Sequence, residues 1–194
     1  MYSLTDKFNA IIAHERLFAD TLALRVLERP KLSIWMILIP IIFLYFFYRY
    51  QRFTAGRKQF GDNYLINRER ALNEAVAVIE SEKSPDLEGL SRLSNLPDDV
   101  RTCNTDVLRI LFEHYVELLR SEGNSFDTLI RTAYKTKANY LLYVNQLNQA
   151  EKRLNAAIEP HLAESNEEVA RITGAIALHT DAIRREAADK IFAG

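Results

Sequence analysis

The sequence predicts an all-α protein: an amphipathic N-terminal helix, one apolar membrane segment, and a C-terminal helical bundle containing a long helical hairpin. Three observations carry this expectation. Only 6 Gly and 5 Pro serve 194 residues, too few turn-formers for a β-sandwich or a glycine-looped nucleotide fold. Apolar residues recur at steps of three and four through most of the chain, the period of a helix that buries one face. Seventeen consecutive uncharged residues, Leu32 to Tyr48, lie between Lys31 and Arg49. With 48% hydrophobic and 26% charged residues and a formal net charge of -1, the chain belongs neither with disordered segments nor with basic nucleic-acid binders. Its one cysteine, Cys103, leaves no internal disulfide and no multi-cysteine metal site.

Residues 1–31 read as an amphipathic helix opened by Ser3 or Thr5, with Asp6 in its first turn, and stopped by Pro30. Leu4, Phe8, Ile11, Ile12, Phe18, Leu22 and Val26 share one face. Such a helix either lies in the bilayer interface or packs on the bundle.

Residues 32–48 are the membrane segment. As a helix they span about 25 Å, slightly less than the roughly 30 Å of bilayer hydrocarbon. Leu32, Ile34, Trp35, Pro40, Phe43, Tyr45, Phe47 and Tyr48 are the expected anchor, with Trp35 and the tyrosines at the two interfaces. A dozen strongly apolar side chains favour insertion by about 5 kcal/mol. Pro40 stands at the middle and removes one helical hydrogen bond, which makes the segment either a kinked span or a re-entrant hairpin. The kinked single pass is preferred, because two arms of eight residues are short for a hairpin. Basic residues near the segment do not decide its orientation, since residues 16–31 and residues 49–64 carry four each. Acidic residues dilute the leading side more, which places the C-terminal part in the cytoplasm. The tie itself is also what a hairpin with both ends on the cytoplasmic side would show.

Residues 49–63 form a basic juxtamembrane linker. Lys31, Arg49, Arg52, Arg57 and Lys58 are candidates for contact with lipid headgroups, anionic ones above all, each worth roughly 1 kcal/mol near a charged leaflet.

Residues 64–194 read as the bundle. Leu65, Leu72, Val76 and Ile79 share the face of its first helix, and Ser84 then caps a short helix with Pro85 at its first position. After Pro97, the residues Val100, Val107, Leu108, Leu111, Phe112, Tyr115, Leu118 and Leu119 make a strong apolar stripe. Ser125 caps the longest helix, Phe126 to Ile158, whose seam holds two charged residues, Lys137 and Glu151. Pro160 ends that helix, and a capping box at Ser165 and Glu168 opens the last one, which returns antiparallel.

No catalytic constellation is legible, and no cofactor or metal is expected. His114, flanked by Glu113 and Glu117, lacks a Glu three residues before it and is expected on a solvated face; His179 is expected between helices and His161 at the surface. His14 has no second His at the HExxH interval, and Walker, GxGxxG and GxSxG patterns are absent. The expected role is a membrane-anchored adaptor or assembly factor. It would act through a protein partner or a second copy, with Asn139, Gln146 and Gln149 as the partner-binding face of the long helix. A monotopic lipid-acting or membrane-shaping protein and an accessory subunit of a membrane transport complex are the alternatives. Nucleic acid is not an expected partner, because the basic patch is short and the bundle is acidic.

Overall fold

The computed structural model describes residues 2–27, 56–94, 96–161 and 167–193. The first helix, α1, runs Leu4–Leu27. Ser3 opens it, accepting from the Asp6 N–H at 3.1 Å while the Asp6 carboxylate accepts from the Ser3 N–H at 3.1 Å. These reciprocal bonds satisfy two donors that the first turn leaves open.

The second helix, α2, spans Gly56–Ser81 and so begins inside the stretch read as a linker. The short helix α3, Leu87–Arg92, corrects the expected cap. Asp86, not Ser84, opens it, and its carboxylate accepts from the Gly89 N–H at 2.8 Å. A Cβ on Gly89 would stand 2.1 Å from that carboxylate. Gly89→Ala is therefore expected to displace the cap and lower stability by about 1 kcal/mol, read as a shift in denaturation midpoint.

The apolar stripe forms α4, Asp98–Arg120, and is buried along its length at Val100, Val107, Leu108, Leu111, Tyr115, Leu118 and Leu119. This helix is the centre of the fold. It lies between α2 and the helix that ends at Ile158, and also touches α1, α3 and the short helix that opens at Phe126.

The expected continuous helix from Phe126 to Ile158 is two helices, α5 (Phe126–Tyr134) and α6 (Lys137–Ile158). Lys135 turns the chain at φ 63, and Thr136 restarts it by accepting from the Asn139 N–H at 3.2 Å. The side chain of Asn139 donates to the Tyr134 carbonyl at 3.0 Å, covering an acceptor that the broken helix exposes. Ser125 caps α5 as expected, in a box with Thr128. A single 3-10 turn, Glu159–His161, follows α6. The last helix, α7, runs Glu167–Phe192; the expected cap at Ser165 lies outside the described residues. Contacts from Lys137 to Asp189, Asn148 to Asp181 and Glu151 to Arg184 show α6 and α7 to be an antiparallel hairpin.

Of the two settings expected for α1, docking on the bundle is the one observed. Ile11 and Leu22 are fully buried, Ile11 and Ile12 join the same core as Leu108 and Leu111, and the helix packs on α2, α4, α5 and α7. Among the described residues no helix is long and apolar enough to cross a membrane. The stretch 32–48 lies outside them, with the anchor residues Leu32, Ile34, Trp35, Pro40, Phe43, Tyr45, Phe47 and Tyr48. Lys31, Arg49 and Arg52 lie outside them too, while Arg57 and Lys58 stand in the first turn of α2.

Candidate functional site

The charged residue that fits the seam of α6 worst, Glu151, sits at the centre of a buried ionic cluster. Arg184 of α7 grips it with two donors, at 2.7 and 2.9 Å. Arg68 of α2 donates to it at 2.9 Å and, through Nε, to Glu15 of α1 at 2.9 Å. Tyr115 of α4 gives its hydroxyl proton to the other Glu15 oxygen at 2.8 Å. Two carboxylates and two guanidinium groups thus balance one another, and five helices meet at one point.

Burial by itself raises the Glu151 carboxyl, but Arg184 and Arg68 outweigh it and bring it down to about 2. The guanidinium of Arg68 also lies over the Tyr64 ring, 3.6 Å from its centroid, a cation–π contact made in a site that excludes water. Burial pushes the Tyr64 and Tyr115 phenols up, with Glu15 adding to the rise at Tyr115. Both phenols stay protonated, and Tyr115 donates to Glu15.

An aromatic cluster adjoins the ionic one. The His114 ring stacks on Tyr143 with centroids 3.9 Å apart, and its Nδ1 shares a hydrogen bond with the Tyr134 hydroxyl at 2.6 Å. The expectation of a solvated His114 is corrected: it is 3% exposed. The short step from α5 to α6 places Tyr134 and Tyr143 around it. Burial lowers the His114 imidazole well below its ordinary range, with nearby cationic groups adding to the effect, so at neutral pH it is uncharged. His14 stacks face to face on Phe126, centroids 3.5 Å apart, and burial lowers it likewise.

His114, Tyr134 and Tyr143 are also the floor of an open groove of about 480 Å³ between α4 and α6. Phe112 and Val116 line one wall and Leu142 the other. Glu113 and Glu117, both exposed, mark the α4 lip, and Asn139 and Gln146 mark the α6 lip. Leu142 is 62% exposed, an apolar side chain left in water at the mouth of a trough lined by both apolar and polar groups.

Of the three residues expected to face a partner, the groove brings Asn139 and Gln146 together; Gln149 is exposed on α6 away from it. His161 lies at the surface as expected and pairs with Asp99 at 2.9 Å. Cys103, half-buried in α4, packs against the core.

The sequence reading missed Glu15, Arg68 and Arg184 altogether. Glu151 in an apolar seam was the one signal that pointed to them. Among the described residues no group of three or more His, Cys, Asp or Glu could hold a metal ion. At neutral pH the imidazole is neutral and the phenols are protonated, so the floor is uncharged and partly polar.

Comparison with protein-family models, with curated proteins and with solved structures finds no match. The class that the geometry defines is a helical bundle with an open, acid-lipped groove.

Proposed function

We propose that this chain is a membrane-tethered adaptor, without enzymatic activity, whose bundle receives an amphipathic, basic helical segment of a partner protein in the groove between α4 and α6. The groove carries this reading. Its apolar walls suit the apolar face of a helix, and Glu113 and Glu117 on its lip suit Lys or Arg on the flank of that helix. The tether is the uncharged run from Leu32 to Tyr48 with its basic flanks. The bundle faces the cytoplasm in this reading, where the basic residues around the tether meet anionic lipid.

A photo-crosslinking residue at position 142 of the full chain, in its own membrane, tests this. It is expected to give a discrete adduct that weakens several-fold in Glu113→Lys/Glu117→Lys and in raised salt, as rim charges require. The same probe at Leu93, exposed at the end of α3 and not among the residues that line the groove, serves as control. An adduct at 142 no stronger than at 93, or one indifferent to charge reversal, overturns the proposal.

A further inference from the structure

The docking of α1 fixes more than the core, because α1 and the rest of the bundle lie on opposite sides of the apolar stretch in the sequence. Lys7 donates to the Leu119 carbonyl of α4 at 2.9 Å. Glu15 holds Arg68 and Tyr115. Arg25, two residues before the helix ends at Leu27, pairs with Glu186 of α7 through two bonds of 3.0 and 2.5 Å. The attachment therefore runs the whole length of α1. Moved to the other face of a membrane, α1 would leave the Tyr115 hydroxyl buried without its acceptor, take away one of the two carboxylates that hold Arg68, and open the core around Ile11 and Leu22. Each buried polar group abandoned in that way is costly.

We propose that α1 and the remainder of the bundle lie on one and the same face of the bilayer, so that the protein is monotopic: the chain between them enters and leaves the lipid by a single face. An odd number of crossings is incompatible with the docked α1. Two crossings do not fit either. Leu27 and Gly56 are separated by 28 residues, about 42 Å as a helix, whereas two passes through a hydrocarbon core of roughly 30 Å need about 60 Å.

What remains is entry and exit through one face. The equal basic flanks, four residues before and four after, then need no tie-break. Both belong to the same anionic face.

The proposal rests on the membrane-tethered reading above, and the experiment separates the two. Membranes holding the full chain are first washed with sodium carbonate; release of the protein in soluble form overturns the tether and this topology with it. For protein that stays bound, single-cysteine variants L17C on α1 and Q149C on α6, both in a Cys103→Ala background, are treated with a membrane-impermeant maleimide. Leu17 is 65% exposed and Gln149 is exposed. Both are expected to label from the same side only, and labelling from opposite sides overturns the topology while leaving the tether intact. As a second measurement, R25C/E186C is expected to be joined by a short bis-maleimide in intact membranes, whereas a chain with α1 across the bilayer gives no such product.

Discussion

Glu151→Ala is expected to lower the folding stability of the full chain by about 3–5 kcal/mol, the usual cost of removing one partner from a buried ion pair. The substitution itself takes away few atoms. Its effect lies in what it strands: Arg184, 6% exposed, loses both of its charge-assisted bonds and keeps the Asn148 amide, while Arg68, 3% exposed, retains Glu15 as its one carboxylate. Neither guanidinium can shed its charge as a buried lysine might.

The paired replacement Glu151→Leu/Arg184→Leu removes a matched carboxylate and guanidinium and leaves Arg68 with Glu15. It is expected to cost clearly less than Glu151→Ala alone, because no charge is left unmatched. Urea denaturation followed by circular dichroism in detergent measures both. A loss under about 1 kcal/mol for Glu151→Ala would mean that water reaches the cluster.

The contrast between what the sequence announces and what it conceals follows from distance along the chain. Ser3 and Ser125 are readable as caps because their partners, Asp6 and Thr128, stand three residues away. The stripe of α4 is readable because helical period alone places Val107, Leu111 and Leu118 on one face. The ionic cluster joins positions 15, 68, 115, 151 and 184, no two of them within thirty residues. From the sequence Glu151 is only an unsuitable core residue. From the structure it is a buried acceptor for two arginines.

The break at Lys135 was concealed for another reason. Apolar residues continue in register across it, and a period cannot show that Thr136 has offered the backbone a local alternative to the helix. That break determines the groove, since it brings Tyr134 back over His114 instead of carrying it farther along one long helix. Asn139 and Gln146 were legible as an exposed polar face. Their opposite lip belongs to α4, and no spacing within α6 could have revealed it.

Acidification provides the second large effect. His114 is held neutral in the fold, with its imidazole well below the ordinary 6.5, while in the unfolded chain it titrates normally. As pH falls through 6.5 the unfolded state therefore binds a proton that the folded state refuses. Stability is complete above that value and declines below it, by up to roughly 1.4 kcal/mol per pH unit for one such group. His14, stacked on Phe126 and lowered by burial, adds to the slope in the same direction.

The carboxylates do not blur this window. Glu151, held at about 2, gives up its contribution only as pH falls below its ordinary 4.5. His114→Gln keeps a polar partner for the Tyr134 hydroxyl and removes the titrating ring. It is expected to flatten the decline between pH 6.5 and about 5 while leaving the collapse at lower pH in place. Denaturation midpoints measured across that range decide the point: an unchanged slope in His114→Gln would show that this imidazole takes up its proton in the folded protein as readily as in the open chain, and that the floor of the groove is wet.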